Sequence, residues 1–231
     1  MSVREHTDKN YEEQLQKLRE RLLFMGARVE EMITLSIKAL VERDNEYAKI
    51  VLATEPKVDS LEVELDESCI SILALRQPVA SDLRYITMVM KMVRDLERIA
   101  DIAVNIVERV IELNEDDQLK PYVDIPKMAE AVRAMVRDAL DAMVKDDAVL
   151  AESIIDKDEI IDDYHMQIFR ELLTYMMEDS RTISRAIRIM SIAKHLERIG
   201  DHASNLAEMV YYNVRGKDIR HTRHGASQRD G

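Results

Sequence analysis

Apolar residues recur along much of this chain at alternating intervals of three and four. The clearest run is Val89, Met92, Leu96, Ile99, Ala103, Ile106 and Val110. A second, Ile189, Ile192, Leu196, Ile199, Ala203, Leu206 and Val210, repeats it a hundred residues later. A third, Val58, Leu61, Leu65, Ser68, Ile72 and Leu75, precedes the first. This spacing returns one stripe of a helix to the same side and predicts helices packed as in a bundle. Turn signals divide the chain at Glu42–Asn45, Pro78, the linker that Pro121 and Pro126 bracket after the acidic stretch Asn114–Gln118, Lys145–Asp147 and Glu178–Ser180. The expected helices are 10–43, 46–76, 80–114, 126–145, 148–177 and 181–214. From residue 215 the periodicity stops, and a flexible tail is expected.

The six segments form two sets of three. At an offset of 103, Met25, Val29, Met32, Ala39, Val41, Asp44, Ala48 and Asp59 match Met128, Val132, Met135, Ala142, Val144, Asp147, Ala151 and Asp162. At an offset of 100, LERIADIAVNIVERV (96–110) matches LERIGDHASNLAEMV (196–210) at nine of fifteen positions. The lost three residues fall between the second and third helix of each set, where a loop absorbs them. The chain is therefore expected to be all-α, two tandem three-helix bundles over 10–117 and 122–214 followed by a tail over 215–231.

Composition narrows the function. With 5 glycines and 4 prolines in 231 residues, the chain favours long helices over turn-rich β structure. A single cysteine, Cys69, excludes a disulfide scaffold. No apolar run approaches the ~18 residues of a membrane span, and the start carries no signal-peptide pattern, so a cytoplasmic protein without membrane insertion is expected. A net charge of −12 argues against nucleic acid as the partner.

The informative acids lie off the seam. Glu97, Arg98, Asp101, Asn105 and Glu108 reappear as Glu197, Arg198, Asp201, Asn205 and Glu208. Neighbouring positions differ: Asp95 against His195, Ile102 against His202, Val104 against Ser204, Arg109 against Met209. Carboxylates four apart on a helix share a face and repel each other. If the second and third helices are antiparallel around a turn near residue 78, Glu55 and Asp59 lie opposite Glu97 and Asp101. Asp158 and Asp162 likewise lie opposite Glu197 and Asp201. Glu62 and Asp66 share that flank, but ion pairs with Arg94 and Lys91 account for them. Four carboxylates converging twice point to cations, and an all-oxygen set suits hard ones such as Mg, Ca, Mn or oxidised Fe. The plain alternative is a solvated acidic flank. Asn105 and Asn205 either orient ligands or bond across helices. Gly200 is expected to admit close approach beside the acids. Asp162-x-x-His165 has the spacing of a di-iron bundle motif, but occurs once where such sites use two. His195 and His202 read as surface residues.

The segment VDSLEVELDESCISILALRQPVASDLRYITMVMKMVRDLERIADIAVNIVE, with HLERIGDHASNLAEMVYY later, resembles the PhoU family over about residues 10–214. The resemblance implies a dimeric cytoplasmic protein that restrains phosphate uptake and the phosphate-starvation response. Its partners would be the ATPase subunit of the phosphate ABC transporter and a phosphate-sensing histidine kinase. It also implies multinuclear metal centres at Glu55, Asp59, Glu97, Asp101, Asp158, Asp162, Glu197 and Asp201. Pro56 is a departure, expected to break or kink the helix beside Glu55; Ala100 in place of glycine is a milder one. Two other classes compete. A carboxylate-bridged metalloenzyme lacks an evident base or nucleophile beyond the ligands, and a histidine phosphotransfer bundle would want four helices per unit.

Overall fold

The computed structural model describes residues 2–219, with side chains from residue 9 onward. Its helices are α1 (Ser2–Glu42), α2 (Asn45–Arg76), α3 (Ala80–Asn114), α4 (Asp124–Lys145), α5 (Ala148–Ile155), α6 (Asp158–Glu178) and α7 (Ile183–Arg215), with a short 3₁₀ turn at Ser180–Thr182. All six expected segments are helical, the fifth in two pieces. Of the expected tail, Arg215 still belongs to α7, Gly216 ends that helix in the left-handed conformation, and 220–231 lie outside the described residues.

Local chemistry accounts for the boundaries. Asp44 and Asp147, equivalent in the two repeats, each cap the following helix. Asp44 accepts from the Glu46 amide at 2.9 Å, and Asp147 from the Val149 and Leu150 amides at 3.0 Å. Gln77, at φ 48°, closes α2 ahead of Pro78.

Pro56 does not break its helix; α2 runs through it. Leu52, whose carbonyl Pro56 leaves without an amide donor, is exposed, so water can take the bond. The interruption falls instead in the second unit, at Asp156–Lys157, where no proline stands. There the Lys157 amide donates to the Ile154 carbonyl and the Ile160 amide to the Lys157 carbonyl, while Lys157 Nζ holds Asp138 at 2.8 Å. Asp158 thereby becomes the first residue of α6, where the positive end of the helix favours an acid.

Helices α1–α3 pack on one another, as do α4–α7. The seams of α3 and α7 are buried throughout. On α2 the seam departs from expectation, since Cys69 is buried in place of Ser68 and Leu75 is 71% exposed. A further stripe at heptad spacing is buried on the third helices: Ile86, Val93, Ala100 and Val107 on α3, and Ala186, Ala193, Gly200 and Ala207 on α7. Such a widened face suits a helix with neighbours on more than one side.

The two units join through like elements, α1 against α4 and α3 against α7, the second being the most extensive helix–helix interface. Along it α3 and α7 run antiparallel, and the meeting positions are those that differ between the repeats. His202 Nδ1 lies 2.6 Å from Asp95 Oδ1. A carboxylate only accepts, so the ring donates. Arg109 and Arg188, like charges at one level, are bridged by Glu112 at 2.6 and 2.9 Å. Met88 and Met209 line one cavity of about 150 Å³ at the other end. His202 is therefore an interface residue, not a surface one, and so is His195, whose Nδ1 is buried within the influence of Arg109 on α3. The intervening segment 115–123 is tied to both units: Arg43 bonds the Asp116 carbonyl, Arg185 the Asp117 carbonyl, and buried Lys120 pairs with Glu171. Among the described residues no helix is long and apolar enough to cross a membrane.

Candidate metal centre

Each unit carries its acids on the flank where its second and third helices meet. In the first, Glu55, Asp59, Glu97 and Asp101 are all part-buried. Loss of water pushes the Glu55 carboxyl up from its ordinary value, followed by the charges of Asp59 and Asp101 and a hydrogen bond shared with Asp59. Glu97 is pushed up by burial, then by Asp101, with Glu62 and Asp59 adding to the effect and Arg98 opposing it. Residues of α2 and α3 thus act on each other as the antiparallel hairpin requires. In the second unit burial raises Asp158 first, then Asp201 and Asp162, with Glu197 adding; Ser204 opposes this from Oγ, 3.4 Å from Asp158 Oδ1. Asp201 is raised by the same loss of water and by Glu197 and Asp162, against the pull of Lys194 and His202. The eight acids therefore fall into two mutually repelling groups of four, in which Glu55 and Glu97 of the first and Asp158 and Asp201 of the second resist ionisation.

Such a group invites cations, and the nearest on the chain are partly engaged. Arg98 lies 3.5 Å from Glu97 Oε2 and 3.1 Å from Asp101 Oδ2. Lys194 pairs with Glu197, whose Oε2 also lies 3.6 Å from His165 Nδ1. Even so, Glu97 Oε2 is buried and accepts no hydrogen bond, whereas the equally buried Glu197 Oε2 has Lys194 as its counter-charge. A buried carboxylate oxygen without a hydrogen bond in the first unit, and one met by a lysine at the equivalent position of the second, fit a place for positive charge in each unit. The acids are not drawn into a finished ligand set: among the described residues no three His, Cys, Asp or Glu side chains converge as a metal would require. Carboxylates held by repulsion alone splay apart, and closing them on an ion requires Arg98 and Lys194 to swing away. The donor set is chemically suited to hard cations.

Other expectations resolve individually. Glu62 and Asp66 make no ion pair with Arg94 or Lys91 among the described residues; Glu62 instead lies within reach of Glu97. Asn105 bonds back to the Asp101 carbonyl at 2.9 Å and so stiffens its own helix, whereas Asn205 reaches Asp95 across the units at 3.5 Å. At Gly200 a Cβ would stand 3.4 Å from Ile161 and 3.6 Å from Asp158 Oδ1, so α6 does pass close beside the acids. Ala100, its counterpart, is buried without difficulty. His165 is the residue the sequence undervalued. Its lone spacing motif hid that it faces Glu197 from the next helix.

The PhoU domain family matches the chain twice, over residues 22–110 and 125–210. Among similar curated proteins, the phosphate-specific transport system accessory protein PhoU homolog of Pseudomonas putida is 44% identical over 221 residues, covering 95% of this chain and 86% of that protein. The Escherichia coli (strain K12) phosphate-specific transport system accessory protein PhoU is 34% identical, covering 96% and 92%. Among solved structures, PhoU from Pseudomonas aeruginosa superposes with a TM-score of 0.86 at 42% identity, over 90% of this chain and 100% of that one. The phosphate transport system regulatory protein PhoU from Streptococcus pneumoniae gives 0.84 at 29% identity, over 90% and 99%.

Proposed function

The chain belongs to the PhoU domain family, and on that footing we propose that it is a non-enzymatic accessory protein of a phosphate transport system. It acts in the cytoplasm as a homodimer, restraining phosphate uptake and the phosphate-starvation response. It does so by contact with the ATPase subunit of the phosphate ABC transporter and with the phosphate-sensing histidine kinase. The accessory and regulatory names carried by its relatives support this reading.

We further propose that each unit holds metal, the first through Glu55, Asp59, Glu97 and Asp101, the second through Asp158, Asp162, Glu197 and Asp201. The observation that carries it is the repetition of four mutually repelling acids on the same flank of both units, with Glu97 Oε2 buried and without a hydrogen bond in the first. A bound cation would supply positive charge where these carboxylates repel. The chain's own residues do the rest: α2 and α6 present one acid pair, α3 and α7 the other, and the seams fix their separation. Binding thus clamps the second helix of each unit to the third.

Elemental analysis of protein purified without chelator, with melting curves before and after metal addition, tests the metal part. Stoichiometric metal and a raised melting temperature are expected; no metal and an unchanged melting temperature would sink it. Affinity capture under high phosphate tests the contacts, with recovery of the ATPase subunit or the kinase expected. Recovery of neither removes that part of the reading, whatever the metal content.

A further inference from the structure

The solvent side of α3 carries a second row at intervals of three and four, and it is basic. Arg84, Thr87, Lys91, Arg94 and Arg98 follow one another at that spacing, all of them exposed. At the rise of a helix the row spans about 21 Å. Like charges three and four apart on a helix repel each other. In a chain of net charge −12, acids are plentiful enough to quench them. Here they do not. Among the described residues Arg84, Lys91 and Arg94 make no ion pair, although Glu62 and Asp66 lie on the neighbouring α2; only Arg98 is held, by Asp101 and Glu97 of its own helix. The row belongs to the first unit alone. At the offset of 100, the second unit has Ser184, Ile187 and Ser191 in place of Arg84, Thr87 and Lys91. The helix tolerates serine at these places, so the stability of the bundle does not account for the cations.

Beside the row, in the groove between α3 and α7, lies the cavity of about 150 Å³. Arg84, Thr87, Met88 and Lys91 wall it on one side, Met209 and Tyr212 on the other. Glu208 and Asp218 also border it, and both are already engaged. A cavity of this size accepts a benzene-sized group, and methionine walls adapt to what enters.

We propose that this face of α3 is a docking site for an acidic helical segment of a partner protein, with one large apolar side chain seated between Met88 and Met209. Carboxylates at matching intervals of three and four meet Arg84, Lys91 and Arg94, and the apolar anchor fixes the register. A partner of this shape meets the row and little else. A broad anionic surface such as a lipid bilayer would also meet the acids that give the chain its net charge of −12. The docking site goes beyond the accessory role and the metal reading, and depends on neither.

The probe is a fluorescein-labelled helical peptide with glutamates at intervals of three and four and a single phenylalanine. It is titrated with the full-length protein and followed by fluorescence anisotropy. Saturable binding that weakens as salt rises is expected. Replacing the glutamates of the peptide by glutamine, or its phenylalanine by alanine, should weaken it. Lys91→Glu with Arg94→Glu should lower affinity at least ~10-fold, since two attractions become repulsions. Arg84→Ser with Lys91→Ser, which copies the second unit and so suits the helix, should lower it at least ~3-fold. Lys127→Glu with Lys145→Glu, the same change of net charge placed on α4, should change it little. Circular dichroism confirms that each variant is folded. No saturable binding of the peptide overturns the proposal. So does an equal loss in the α4 variant, which would show attraction by overall charge. Sedimentation velocity and flotation with phosphatidylserine vesicles test the other occupants. If the Lys91→Glu with Arg94→Glu variant loses self-association or vesicle binding while the parent ignores the peptide, a second copy or a membrane covers the row, and the proposal falls.

Discussion

Replacing Gly26 by alanine tests how the two units meet. In α1 an added Cβ would stand 2.2 Å from Leu140 Cδ1 and 3.4 Å from its Cγ. Carbon atoms settle at about 3.5–4.0 Å, so one partner must retreat. Leu140, on α4, is 4% exposed, which limits that retreat. Overpacking of this kind costs about 1–3 kcal/mol, against about 1 kcal/mol gained because alanine suits a helix interior better than glycine. The expected net effect is destabilisation by about 1 kcal/mol. The repeat supplies the remedy. The equivalent pair is Ala129 with Ile37, buried together along the groove between α1 and α4. Leu140→Ile alone should cost less than about 1.5 kcal/mol, and combined with Gly26→Ala it recreates that pair. The double variant should be more stable than the two single effects predict by about 1 kcal/mol. Urea unfolding followed by helical circular dichroism measures this as a shift in midpoint at constant slope. A Gly26→Ala midpoint at or above that of the parent, or a coupling below about 0.3 kcal/mol, would refute the close approach of α1 and α4.

Two further outcomes follow from the interface and the acids. Removing Asp95 leaves His202 without its acceptor, and Asp95→Ala should cost about 1–3 kcal/mol in urea unfolding. His202→Ala added to it should then cost less than His202→Ala alone; strict additivity would show that the two do not pair. In chelator-treated protein Glu55, Glu97, Asp158 and Asp201 have folded pKa values above their unfolded ones. Their contribution is therefore full below about pH 4 and is lost as pH rises through the raised values. Asp158→Asn should raise the melting temperature of the stripped protein at neutral pH and do so less near pH 4. A variant that melts lower at neutral pH, or a pH-independent difference, contradicts the crowding of these acids.

Most of the fold was legible because the seams of α3 and α7 are unbroken, and because Asp44 and Asp147 mark the helix starts twice. The acid groups were legible for a different reason: duplication held their positions fixed while others changed. Two things escaped. The pause at Asp156–Lys157 has no proline or glycine to announce it, and Pro56, which should announce one, is tolerated where Leu52, whose carbonyl it leaves unmatched, is an exposed residue. The differences at Asp95/His195, Ile102/His202 and Arg109/Met209 looked like free drift. They are choices made against a partner helix a hundred residues away, and one repeat compared with the other does not display that partner.

That interface differs from one between two identical units. A three-helix unit pairing with its own twin through the third helix would set position 95 of one copy against position 102 of the other, and do so twice with the same residues. Joining both copies in one chain releases that identity. Asp95 now meets His202 on one side of the axis, and Ile102 and His195 hold the mirrored places. What a symmetric pair would have to satisfy with one compromise, the duplicated chain satisfies with two unlike contacts. A half-length piece offered its own duplicate would therefore find a worse fit than its other half provides.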